Sequence, residues 1–272
     1  ETTGIYTALN TRALHGALPI SQAKYFRYVI RAFAPGDTEE SWLIQCGTAP
    51  TFESLSQTLW RNVYRDAEGN EYRVSACVID AMGAPGRTKQ VYAWCAQQGG
   101  RAMPFKGEQK MATPVSYSPI EFFPDAKGSK IKIPGGVLLR RVDTTFFKGD
   151  LAEKLSVTPG DPGTFWLHAN TVQQGIGEMG GILADYAKEM CAEVFNPEKL
   201  IWENPHQRPN HFWDCEVMAL VCAWELGIRN WETPEPEPAR TEPAPMAAPA
   251  VPMPMQRPAP RSLADRLARL RR

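Results

Sequence analysis

The 272-residue chain has no surplus charge of either sign: 30 lysines and arginines stand against 30 aspartates and glutamates. Overall charge therefore gives no argument for nucleic acid, and any DNA-binding surface has to be local. The six cysteines (46, 77, 95, 191, 215 and 222) include no CxxC pair and sit mostly in apolar runs. They read as reduced core thiols and argue against a disulfide framework. No run approaches the roughly 18 apolar residues of a membrane span, and no signal peptide is evident. GxxxxGK[ST] is absent, so no phosphate-cradling ATPase loop lies in these residues, and GxSxG is absent too. The histidines are few. His206 and His211 lack zinc-ligand partners at suitable spacing, and His168 stands alone. Acid is missing from one end: residues 1 to 36 contain no aspartate, and Glu1 is the only carboxylate side chain before Asp37.

What is present patterns as an α/β domain with a mixed sheet. KYFRYVIRAF alternates as a strand, with Phe26, Tyr28, Ile30 and Ala32 on one face. APGDTEE is a turn, and SWLIQCG completes a hairpin. TFESLSQTLWRNVY reads as an amphipathic helix capped by Thr51. EYRVSACVID is a strand whose continuous apolar tail suits burial on both faces. RTKQVYAWCAQQGG is a helix with a glycine stop, and RAMPFKG is a short strand. KIKIPGGVLLRRVD suggests a further hairpin turning at Pro-Gly-Gly. Helices are expected over FKGDLAEKLSV, GGILADYAKEMCAEVF and NHFWDCEVMALVCAWELGI.

The flanks differ from this core. LHGALPI, Leu14 to Ile20, has no clear period. It is one residue away from LHDALPI, the translation of a sequencing adapter. Residues 1–21 therefore read as a non-native or irregular leader ahead of a domain over 22–231. Residues 232–260 are a Pro/Ala-rich linker that cannot build a core and is expected to be disordered. Residues 261–272 form a short basic amphipathic segment with Leu263, Leu267 and Leu270 on one stripe. A helix of this kind on an extended arm suits a groove on a partner.

Two carboxylates stand out. Asp80 ends a buried-type strand, where open α/β sheets gather their ligands; it equally suits a turn. Asp214 shares a helix face with Val217, Met218 and Val221, and an inward carboxylate is costly unless paired, hydrogen-bonded or bound to metal. Glu216 falls nearly opposite and is expected to meet solvent. Together Asp80 and Asp214 can offer oxygen ligands to a hard cation, Mg²⁺ or Mn²⁺. Lys106 in FKGEQK and Lys148 in FFKGD precede glycine, where a lysine can meet a DNA phosphate.

YVIRAFAPGDTEESWLI, the VIDAMG strand end, PFKG, RVDTTFFKGDLAEKL and RPNHFWDCEVMAL resemble, in order, the nuclease domain of the GpA-type phage terminase large subunit, over roughly residues 24–230. The resemblance implies an RNase H-like fold, with a mixed sheet flanked by helices. It implies a metal-dependent endonuclease that cuts concatemeric viral DNA in the host cytoplasm. The partners it implies are double-stranded DNA, the small terminase subunit and the portal, the last through residues 261–272. The strand-end acid of the family falls on Asp80 and its helix acid on Asp214. The family's first acid lies on the first strand in a GxDxQ-like pattern. Here that place reads ALHGALPISQ, with Gln22 as the last remnant of the motif and no acid, which implies weakened cleavage. The ATPase half of such proteins has no counterpart in these residues. Two other readings stay open: a non-catalytic docking module, and another RNase H-like nuclease such as a resolvase.

Overall fold

A computed structural model describes residues 14–21, 25–66, 69–82, 86–123, 130–167 and 179–232. His168, all but the first residue of the Pro-rich stretch 232–260, and the segment 261–272 lie outside the described residues.

The expected α/β architecture is present as one eight-stranded mixed sheet with helices on both faces. Strands β1 (Leu14–Ser21), β2 (Phe26–Phe33) and β3 (Ser41–Ala49) form an antiparallel meander. Helix α1 (Phe52–Ser56) follows and runs on as a π-turn to Arg61; Thr51 and Ser54 close a reciprocal cap at its start. The small β4 (Tyr64–Arg65) and β5 (Glu71–Tyr72) lead into β6 (Val74–Asp80), helix α2 (Arg87–Gln97) and β7 (Ala102–Glu108). Then come β8 (Val115–Phe122), β9 (Lys132–Asp143), α3 (Thr144–Ser156), β10 (Phe165–Trp166) and α4 (Met179–Met190). The hairpin strands β11 (Val194–Asn196) and β12 (Ile201–Glu203) precede α5 (His211–Leu226). The main sheet runs β10-β3-β2-β1-β6-β7-β9-β8, with β1, β6, β7 and β9 mutually parallel.

Alternation of apolar side chains through the sheet sends two cores in opposite directions. Phe26, Tyr28, Ile30, Cys77 and Ile79 pack under α1 and α2. Val29, Phe33, Val78, Met103 and Phe105 pack under α3 and α5. No described helix is long and apolar enough to cross a membrane. All six cysteines are free thiols.

Residues 14–21 lie in the sheet as a strand between β2 and β6. Two expectations are corrected. Pro134-Gly135-Gly136 is not a hairpin turn: β9 runs straight through it. Both glycines there take positive φ, and the pairing with β8 slips between Ile120 and Phe122, so the motif bulges the strand instead of reversing it. Glu216 does not meet solvent; it is wholly buried and bonds Arg31 of β2 at 2.7 and 2.9 Å. A wheel drawn for one buried face fails here because α5 packs against the sheet and also against α3 and α4.

Candidate functional site

Helix α5 is fastened along its length. At its start the Phe212 amide donates to Glu189 of α4 at 2.8 Å. In its second turn Glu216 takes the Arg31 pair and a 2.7 Å bond from the Tyr186 hydroxyl. Near its end Glu225 accepts from Arg140 and Tyr117, each at 2.8 Å. These ties fix where the first turn of the helix, and Asp214 with it, meets the sheet.

That turn faces the C-terminal end of β6. Asp80, the last residue of β6, and Asp214 line one cleft of about 390 Å³, together with Phe105, Thr144, Lys148 and Trp202. Asp80 makes a turn bond and also borders the cleft: one of its carboxylate oxygens accepts from the Met82 amide at 2.8 Å. Burial raises its pKa from 3.8 to about 6; the Met82 bond opposes this, and the charge of Asp214 adds to it. Burial also raises Asp214, offset by Lys148; the nearby Glu193 pushes it up and His211 pulls it down.

Gly107 lets the walls of the cleft close. A Cβ there would stand 2.8 Å from Cγ2 of Thr144, so only glycine lets β7 pass the first turn of α3 this closely. Asp143 caps that turn through the Phe146 amide at 3.0 Å and also holds the Met111 amide at 2.8 Å.

The two lysines fare differently. Lys106 stands on β7 beside the cleft-lining Phe105 and Gly107, partly exposed, with its amine 2.8 Å from Glu108. Lys148 is turned inward. Its amine donates to both oxygens of Glu193 at 2.7 and 2.8 Å and lies 3.2 Å from Asp214. Asn210, at the position before α5, makes no side-chain bond to the helix amides. Its side-chain amide donates instead to Glu193 at 2.6 Å and Asp214 at 3.1 Å.

Comparison with models of known families matches residues 21–233 to the terminase large subunit gpA, endonuclease domain. The chain belongs to this family. No curated protein and no solved structure matches it. For a gpA-type endonuclease domain the cleft supplies hard oxygen donors at the end of a parallel strand. Among the described residues no group of three or more His, Cys, Asp or Glu side chains is placed to hold a metal ion. Glu193, Asn210, Thr144 and Trp202 were not singled out from the sequence. Glu193 sits in AEVF, which reads as the end of a helix but turns into β11.

Proposed function

We propose that this chain is a metal-dependent DNA endonuclease that cuts concatemeric viral DNA during packaging, with Asp80 and Asp214 as its catalytic, metal-holding carboxylates. One observation carries the reading. Two acids from distant segments border the same cleft, close enough for the charge of one to raise the pKa of the other. Paired groups perturbed in this way mark functional clefts.

The donor pair fits Mg²⁺ or Mn²⁺. Magnesium keeps several waters and takes one or two protein carboxylates, with substrate phosphate completing its shell. Bound there, such an ion supplies an acidified water and charge for the leaving oxygen of a phosphodiester. Asp80 and Asp214 hold and orient it. Lys106, at the edge of the cleft, meets a backbone phosphate; Lys148 reaches one only by leaving Asp214. Phosphate contacts position the duplex without reading bases, so sequence preference is low. The mixed sheet, with its acids at a strand end and on the last helix, supports an RNase H-like fold. The family supports DNA and packaging partners in general; within that we read the portal and the small terminase subunit as partners in the host cytoplasm, with residues 261–272 as the portal-binding segment.

No acid stands where the family pattern would have its first one, and we assign that place to β1. Counting back two residues from Gln22 in a GxDxQ-like motif reaches Ile20. In the parallel pairing of β1 with β6, Ala17 stands opposite Cys77; carried three residues further along both strands, that register would set Ile20 level with Asp80. Cleavage by the chain as it stands is therefore weak, and Ile20→Asp strengthens it. The test is nicking of supercoiled plasmid with Mg²⁺ or Mn²⁺. Activity that survives unchanged in both Asp80→Asn and Asp214→Asn would overturn the assignment.

A further inference from the structure

Lys148, Glu193, Asn210 and Asp214 form a closed ring in which two donors each bridge the same two carboxylates. Lys148 and Asn210 both bond Glu193, and both reach Asp214, one on each of its oxygens. Glu193 and Lys148 are nearly buried, with 5% and 12% of their side-chain surface exposed, while Asp214 keeps 37%. The ring thus has a buried back, Glu193, and an open front, Asp214, which borders the cleft beside Asp80.

The bonds are unequal. Lys148 holds Glu193 at 2.7 and 2.8 Å but Asp214 only at 3.2 Å. An ammonium group has three N–H donors, so two serve Glu193 and one is left for Asp214. The weakest link of the ring is therefore the one facing the cleft. If that link is lost, Lys148 still has its partner in Glu193, and Asn210 still holds the second oxygen of Asp214.

We propose that Lys148 is a built-in cation that competes with the divalent ion for Asp214, and that Glu193 sets the strength of the competition by holding the amine back. This rests on the metal-binding reading of the cleft. In the metal-free protein the amine offsets part of the charge of Asp214. When a divalent ion enters, the 3.2 Å contact yields, the amine stays on Glu193, and Asn210 keeps the carboxylate oriented. The affinity of the cleft is then lower than two unshielded carboxylates would give. Glu193 is a positioning residue, acting on the ion through Lys148.

The experiment is Mn²⁺ binding to the full chain, followed by calorimetry and by the electron-spin signal of free Mn²⁺. Lys148→Met removes the competitor and is expected to tighten binding about tenfold, the scale of a charge removed a few ångströms from a partly solvated ligand. Glu193→Gln frees the amine for Asp214 and is expected to weaken binding by about threefold or more. Lys148→Met leaves Glu193 buried with no cation beside it, held only by Asn210. If that variant does not fold, the double variant Lys148→Met/Glu193→Gln takes its place and is expected to bind more tightly than Glu193→Gln alone. Wild-type affinity in Lys148→Met, or a double variant no tighter than Glu193→Gln, makes Lys148 a plain strut and overturns the proposal. Asp80→Asn and Asp214→Asn separate the two ideas. If Mn²⁺ binding depends on both acids but not on Lys148, only the competition fails. If wild type binds no Mn²⁺, or the two variants bind it unchanged, the metal-binding reading fails and the competition falls with it.

Discussion

Arg31 of β2 and Glu216 of α5 meet in a two-point ion pair, and neither side chain is exposed to solvent. The guanidinium also lies 3.4 Å from the centre of the Phe165 ring and reaches Ser41 and the Trp166 carbonyl, both at 3.3 Å. Burying two charges is costly, but breaking such a pair from one side costs more, because the survivor is left uncompensated. Arg31→Met or Glu216→Gln alone is expected to lower the unfolding free energy by about 3–5 kcal/mol. Arg31→Met/Glu216→Gln together should cost clearly less than the two single losses summed. Urea denaturation of the four proteins measures this; simple additivity would contradict the coupling.

Asp80 gives a pH signature. Its pKa rises from 3.8 to about 6 in the folded chain. An acid raised in this way favours the fold while protonated and costs stability once ionised. Without divalent ions, the parent and Asp80→Asn should therefore melt alike below about pH 4. The parent should fall progressively behind as pH climbs through about 6. Melting curves taken across that window check it, and an unchanging gap would show that the carboxyl is not perturbed.

Loss of either cleft acid should lower metal-dependent nicking by more than about a hundredfold, beyond the usual cost of removing a supporting residue. Ile20→Asp should raise nicking above the parent level. Quantified plasmid relaxation, with and without Mn²⁺, reads both effects.

Gly107→Ala should destabilise the protein by about 1–3 kcal/mol, since its new methyl group would press on Thr144. Thr144→Ser removes the obstructing methyl, so Gly107→Ala/Thr144→Ser should recover part of the loss. No recovery in the double variant would place the strain elsewhere.

Thiol chemistry offers an independent check on the fold. Cys191 is the one exposed cysteine of the six. Burial pushes Cys46 and Cys222 up to about 12. A maleimide reagent should modify one thiol on the native protein and six in denaturant, with mass spectrometry placing the native label on Cys191.

The carboxylates of the cleft were legible because each sat in a local pattern with a direct physical meaning. Asp80 closes a continuous apolar strand, and Asp214 follows the apolar stripe of its helix. Glu216 was misread for want of tertiary knowledge. A helix enclosed on several sides buries its polar positions too, and the partner that makes this tolerable, Arg31, is far away in the chain. Glu193 was invisible for a similar reason: its meaning comes from Lys148 and Asn210, and neither spacing nor periodicity links the three. Residues 14–21 carry Gly16 and Pro19, poor strand formers, and pair along β2 regardless. Here neighbouring strands decide what local propensity does not.

Because Asp214 and Glu216 sit two places apart on one helical turn, the group facing the cleft and the group locked to the sheet share a single short lever. The two-point bond of Glu216 to Arg31 therefore ties the backbone that carries Asp214 to β2. The backbone of this wall is thus braced against the sheet, and adjustment within the cleft is left to side chains, Lys148 at its 3.2 Å contact with Asp214 foremost.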